Sequence, residues 1–312
     1  MPSPTDADGR ADDRAGGPVD YWVRPMLVSD VDEVELLTRH GFHDLDVRTA
    51  RANWPAPTLR SEPRAELWRA RARHMMHTDP GGCFVAEDTS GLIGGAIALR
   101  RDLMWILSTY VVKPGLQGRG VGRQLLRAGL DHGRSCLRGL ISASEDQAAV
   151  RRYHAAGFAM HPMMLLRGAV AREVLPVVER VREGSAGDID LMNSVDRQVR
   201  DAAHGVDHEW LISNHRLVVV DRATGSGYAY IQPGGGAHLL AATNRRTATE
   251  LLWEALAASS PETPTAIGHV SAANPWAIAV GMTARMELHI AGYLGVRGMK
   301  PPTPYLPSGH FL

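Results

Sequence analysis

The run Tyr110-Val111-Val112-Lys113-Pro114-Gly115-Leu116-Gln117-Gly118-Arg119-Gly120-Val121-Gly122 constrains this chain more than any other segment. Met104 to Val112 is apolar and β-branched, which predicts a strand. Pro114 and the glycines break it. Helical spacing follows over Val121 to Arg134. A strand that turns through glycines into a helix presents the first helical N–H groups, which lack intrahelical partners, at the positive end of the helix dipole. A pyrophosphate placed there receives several N–H bonds at once. Gly118, Gly120 and Gly122 allow close backbone approach, and Lys113, Arg119 and Arg123 supply charge. The same pattern also describes a glycine-rich turn that holds nothing. Two other phosphate loops do not fit. A Walker loop ends in Gly-Lys-Ser/Thr, where this one has Gly122-Arg123-Gln124. A dinucleotide fingerprint needs an acid ~20 residues on. Asp131 comes too early, and Glu145 falls past the next strand.

The elements around this loop alternate. Tyr21 to Met26 reads as a strand, and Asp30 to His40 as a helix with Val31, Val34 and Leu37 on one face. Gly41 to Pro63 reads as irregular, and Arg64 to His77 as a second helix. Cys83 to Glu87 and Leu92 to Arg100 form a hairpin about Asp88-Thr89-Ser90-Gly91. After the loop helix come a strand at Arg138 to Ser142, a helix at Asp146 to Ala156 and a strand at Phe158 to Val170. This order predicts an α/β fold with a mixed central sheet flanked by helices.

The order recurs more faintly. Val23-Arg24 with Asp30-Val31-Asp32 matches Val181-Arg182 with Asp188-Ile189-Asp190. Leu125-Leu126 and Leu130 match Leu251-Leu252 and Leu256, and Asp146, Ala149 and Tyr153 fall opposite Asn274, Ala277 and Gly281. The offset shrinks by about 30 residues along the way, as if the second copy had lost that much early on. Two tandem copies are expected, residues 21–172 and 173–312, after a disordered leader over residues 1–20 that is rich in Asp, Arg, Gly and Pro.

The bulk numbers exclude some classes. Of 312 residues, 44% are hydrophobic and 22% charged, and Lys+Arg 34 balance Asp+Glu 34. A zero formal charge gives no support to nucleic-acid binding. No run approaches the ~20 apolar residues of a membrane span. Cys83 and Cys136 have no metal-like spacing, and none of the chain suggests a metal site. Free thiols fit a cytoplasmic protein.

The loop resembles the acetyl-coenzyme A loop of the GNAT (N-acetyltransferase) superfamily, Gln/Arg-x-x-Gly-x-Gly/Ala after a strand, through Gln117, Gly120 and Gly122. A second segment, Asp146-Gln147-Ala148-Ala149 to Tyr153 and Gly157-Phe158, resembles the Asn-x-x-Ala-x-x-x-Tyr-x-x-x-Gly-Phe feature that follows in that family, with Asp146 in place of Asn. The resemblance covers about Tyr21 to Val170. It implies acetyl-CoA as acyl donor, held by Val111, Val112, Lys113, Gln117 to Arg123, Asp146 and Tyr153. The Val112 N–H would bind the thioester oxygen, and Tyr153 would protonate the departing thiolate or else serve as a core aromatic. A small-molecule or peptide amine would be the acceptor, attacking directly in a ternary complex, in a monomer or homodimer.

The proton acceptor is open. The strand before the loop carries no acid. Ser108 and Tyr110 share a face with Val112 and reach a base only through water, and Glu145 is either that base or an exposed turn residue. Trp54, Trp68, His74 and His77 are candidates to line the acceptor site. Arg64, Arg69, Arg71 and Arg73 either recognise an acidic acceptor or form a solvated helix face. Opposite Gln117, Gly120 and Gly122, the second copy has Thr243, Arg246 and Ala248, which predicts loss of the cofactor there. The competing expectation is a silent acyl-CoA-binding regulator on the same fold.

Overall fold

A computed structural model describes residues 20–51 and 54–312, so all of the expected leader except Asp20 lies outside the described residues. The chain runs through β1 (Trp22–Pro25), α1 (Val31–Arg48), α2 (Glu62–Thr78), β2 (Cys83–Asp88), β3 (Gly91–Arg101), β4 (Met104–Val112), α3 (Val121–His132), β5 (Arg138–Ala143), α4 (Gln147–Ala155) and β6 (Ala159–Gly168). It continues through β7 (Arg182–Glu183), α5 (Ile189–Arg200), α6 (Asp207–Asn214), β8 (Arg216–Val220), β9 (Gly227–Ile231), β10 (Ala237–Ala242), α7 (Arg245–Ala257), β11 (Thr265–Ser271), α8 (Pro275–Thr283), β12 (Glu287–Arg297) and β13 (Tyr305–Leu306). The mixed α/β architecture is as expected. One boundary differs by more than two residues. The stretch from Gly41, read as irregular, begins as helix, and α1 runs on to Arg48 because Leu45 finds a buried seat that local sequence does not reveal.

The strands form two sheets. The larger has the order β1-β2-β3-β4-β5-β12-β6-β11, and the smaller β13-β10-β9-β8-β7. In the larger sheet β1 to β4 are antiparallel neighbours, and β5 lies parallel to β4. Beyond β5 the chain does not pair sequentially. β12, from near the C-terminus, lies antiparallel between β5 and β6, and β6 in turn pairs with β11. Strands from both ends of the sequence therefore build one sheet.

The packing follows the sequence periodicities. On α3, Val121, Leu125, Leu126 and Gly129 are buried, and Gly94 of β3 leaves room for Leu125. On α2, Ala65, Trp68, Arg71, Ala72, Met75 and Met76 are buried. One continuous core contains Val34, Trp68 and Leu99 together with Tyr228, Tyr230 and Phe311. An ion pair crosses the same interface, with Arg101 of β3 bound to Asp79 and to Asp207 of α6. A second buried polar group, Asp196 with His204 and His208, is satisfied internally. Asp196 accepts from both imidazoles at 2.7 and 3.2 Å, and from the Tyr228 hydroxyl at 2.5 Å.

Candidate active site

The site begins where two parallel strands part. β4 and β5 pair from Met104↔Arg138 to Leu107↔Ile141 and no further. The separation starts at Ser108, which sits in a bulge where the β3–β4 register slips. Such bulges re-aim a strand. In antiparallel pairs successive N–H groups point to opposite edges. Lys113 donates its N–H to Ile93 O of β3 at 2.8 Å, so the Val112 N–H points the other way, into the gap that β5 has vacated. The gap opens into a cavity of about 230 Å³ whose lining includes Ser108, Val112, Gln117, Gly118, Ser142 and Tyr153.

The loop supplies the mouth. Gly115, Gly118 and Gly120 have φ of 83°, 82° and 91°, a left-handed region that favours glycine. Gly120 is the N-cap of α3 and contributes no side-chain cap, which leaves the first α3 N–H groups available. The space beside Gly115 and Gly118 is open. Gly122 serves differently from the sequence expectation. A β-carbon there would collide with the Tyr110 hydroxyl and the Arg152 guanidinium, which are themselves joined at 2.8 Å. Its missing side chain therefore houses a Tyr110–Arg152 pair at the cavity wall. Val111 is buried and lines the cavity. Val121 is buried in the core, so it offers the loop only its backbone. Lys113, Gln117, Arg119 and Arg123 are exposed, and Gln117 reaches back toward Val112 O at 3.5 Å. Between α3 and α4 a surface depression gathers Arg123, Arg127, Arg151 and Arg152 beside Gly118. Three of these arginines carry no motif and were not singled out from the sequence.

Asp146 accepts the Ala149 N–H at 2.8 Å as the N-cap of α4. A carboxylate caps as an amide does, so the substitution of Asp for Asn keeps the helix start. Tyr153 is buried, lines the cavity, and packs 5.9 Å from Tyr110. Burial, with Tyr110 and Asp146 nearby, raises its hydroxyl well above the usual tyrosine range. It stays protonated, as a proton donor must.

A second cavity, of about 550 Å³, shares Ser108, Thr109, Ser142, Ala143 and Ser144 with the first. Trp54, Trp68 and Glu145 line it. His74 and His77 do not. His74 is bonded to Asp207 at 2.9 Å, and His77 faces solvent. Glu145 is held by Arg51 at 2.8 Å. Ser108 donates to the Met75 thioether at 3.3 Å, not to a base. The remaining wall comes from far along the chain, through His269 of β11, Ile290 of β12 and Ser308 to His310.

His269 is the residue that sequence reasoning missed. Its Nδ1 lies 3.1 Å from Ser142 Oγ, at the junction of the two cavities. It occupies a β11 bulge with φ 55°, and burial pushes its imidazole down to about 4, so it is neutral near pH 7. Left-handed histidine is uncommon and clusters at functional sites. No motif marks it, because only the pairing of β6 with β11 brings it to Ser142.

A family model described as Acetyltransferase (GNAT) family matches residues 41–158. No curated protein sequence matches the chain. Among solved structures, a candidate acetyltransferase from Pyrococcus horikoshii superposes with a TM-score of 0.68 at 16% identity, covering 94% of this chain and 94% of that one. A GCN5-related N-acetyltransferase from Kribbella flavida gives 0.57 at 16% identity, over 89% of this chain and 72% of that one. Another, from Sphaerobacter thermophilus, gives 0.54 at 15% identity, over 90% and 96%. At these identities the likeness is one of fold. The strand–loop–helix, the parted strands and the match to the GNAT acetyltransferase family model fall on the same segment, residues 41–158.

Proposed function

We propose that the protein transfers an acetyl group from acetyl-CoA to an amine acceptor by direct attack in a ternary complex. The observation that carries this reading is the gap between β4 and β5, which joins a cavity at the uncapped start of α3 to a second cavity large enough for an acceptor.

Acetyl-CoA supplies an activated thioester, and the residues present fit it. The α3 N–H groups and the open side of Gly115 and Gly118 would receive the pyrophosphate, and Arg123, Arg127, Arg151 and Arg152 would meet the remaining phosphate charge. The Val112 N–H points to where the carbonyl oxygen gains charge during attack. The acceptor amine reaches the gap from the second cavity in its neutral form. As the C–N bond forms, the nitrogen becomes acidic and its proton passes through Ser142 Oγ to His269 Nδ1. As the C–S bond breaks, Tyr153 protonates the thiolate. The net change is acetyl-CoA plus amine to amide plus thiol.

The second half of the chain reads as a degenerate copy. β7 to β12 with α5 to α8 repeat the element order of β1 to β6 with α1 to α4. In this reading the copies divide near residues 172/173 along the chain, and each lends its last strand to the other. α7 corresponds to α3, but Asn244 caps it by accepting the Thr247 N–H at 3.0 Å, which fills the position a phosphate would take. One donor site per chain follows. The test is thiol release from acetyl-CoA with a panel of amines. Amine-stimulated release supports the reading. Tight acetyl-CoA binding without release by any amine favours a silent binding protein.

A further inference from the structure

Arg71 lies on the inward face of α2, one turn after Trp68, and is only 8% exposed. Among the described residues it has no ion pair and no hydrogen bond. Burial and the nearby charge of Arg60 bring its guanidinium down to about 9. Buried charges are ordinarily paired, because desolvation is costly. Arg101, comparably buried, holds two aspartates. Arg71 holds none.

Arg71 lies between Trp68 and His74 on α2, and His74 packs 6.1 Å from Phe311, the residue after His310, while Trp210 bridges Phe311 to His215. The charge of Arg71 bears on His215, His238 and His310. His215 and His238 stack with centroids 4.1 Å apart and 18° between planes. Burial keeps His215 near about 4 and His238 near about 3, and it holds His310 well below the usual range. All three are neutral near pH 7 with one N–H each, and that of His310 is taken by the Ser108 backbone. Neither ring nitrogen of His215 has a partner, and Nδ1 of His310 has none. Among the described residues, an unpaired guanidinium and the unpartnered imidazole of His215 thus share a buried region with no acid bonded to either. His310 and Trp68 both line the second cavity, so this region adjoins the acceptor side and not the thioester side.

We propose that Arg71, with His215, His238 and His310, forms an anion-binding subsite of the acceptor cavity, so that the acceptor is an amine bearing a carboxylate or a phosphate. A guanidinium fork with neutral imidazole donors suits either oxyanion. The amine half of this assignment rests on the acetyltransferase reading above. The anion half rests on the Arg71 cluster alone.

The experiment has two arms on the full chain. In the first, matched amines are compared, an amino acid with its amide and a phosphorylated amino alcohol with the unphosphorylated one. Wild type is expected to favour one anionic member by about 10²-fold in kcat/KM, through KM, and Arg71→Met to bring that ratio toward one. The favoured pair tells carboxylate from phosphate. A wild-type ratio near one, or a ratio that survives in Arg71→Met, overturns the proposal. In the second arm, sodium phosphate and sodium acetate are titrated calorimetrically without any amine. Binding by wild type that Arg71→Met abolishes supports the site, and no binding by wild type overturns it. This arm decides the site even if no amine is acetylated, which would remove only the acetyltransferase reading. The melting temperature of Arg71→Met in anion-free buffer is expected to equal or exceed that of wild type. A large drop would assign Arg71 a structural role and overturn the proposal.

Discussion

Arg101 and Asp207 meet in a two-pronged ion pair, with Nε to Oδ2 and Nη2 to Oδ1 both at 2.6 Å. The pair is almost wholly buried, at 6% and 0% side-chain exposure. It ties β3 to α6 across the joint core. Removing one partner leaves the other charged and buried. Asp207→Ala is therefore expected to destabilise the protein by about 3–5 kcal/mol, read as a lower denaturation midpoint. Replacing both residues with apolar ones of similar volume should cost much less. An unchanged midpoint in Asp207→Ala would show that the interface does not depend on this pair.

Asp79 belongs to the same network and sets an acid limit on stability. Burial opposes its ionisation, but the bond to His132, the charge of Arg101 and the Arg100 N–H hold its carboxyl at about 2. A folded-state value below the unfolded one stabilises the fold above the unfolded pKa, and that stability is lost as pH falls through the folded value. The contribution, about 2 kcal/mol, should disappear between about pH 4 and pH 2. Asp79→Asn should flatten this part of the stability–pH curve, as measured by chemical denaturation at stepped pH.

Gly122→Ala tests the loop without adding charge. The new β-carbon must displace the Tyr110–Arg152 pair from the cavity wall. Acetyl-CoA affinity is expected to fall by at least about tenfold, a loss of about 1.4 kcal/mol, while the melting temperature shifts little. Calorimetric titration reads this directly, and wild-type affinity would refute the placement of the donor at this wall.

Tyr153→Phe keeps the ring that packs on Tyr110 and removes only the hydroxyl. Turnover is expected to fall by about 10²-fold or more, typical of a lost general acid, with the acetyl-CoA Kd within about twofold of wild type. Undiminished turnover would leave Tyr153 as a core aromatic.

His269→Asn probes the proton route. Asparagine tolerates a left-handed backbone, so φ 55° is retained. The expected result is a kcat lowered by about 10²-fold with the donor Kd unchanged. Ser142→Ala should show a smaller loss in the same direction. His269→Gly also suits the backbone and opens room for added imidazole, whose restoration of turnover would not occur if His269 only packed. A His269→Asn protein with wild-type kcat would remove His269 from the chemistry.

Local chemistry made the donor side of this protein legible. Periodicity placed β4 at Met104–Val112 without error, glycines at positive φ marked the turn, and a short polar residue at 146 marked the start of α4. Each of these depends on a few consecutive residues, which is what a sequence displays. The burial of Arg71 was partly written there as well. It stands three after Trp68 and four before Met75, on the apolar face of α2, yet local sequence leaves it, with three other arginines, between recognising an acidic acceptor and forming a solvated face. The acceptor side was not legible. His269, Ile290 and the segment Ser308 to His310 reach the cavity only because β12 inserts beside β5 and β6 pairs with β11. Strand partners distant in sequence are chosen by burial of whole sheet faces, a collective quantity that no local pattern carries. A few consecutive residues are enough to specify the strand, the glycine turn and the helix proposed to cradle the donor. What stands opposite them depends on long-range strand pairing.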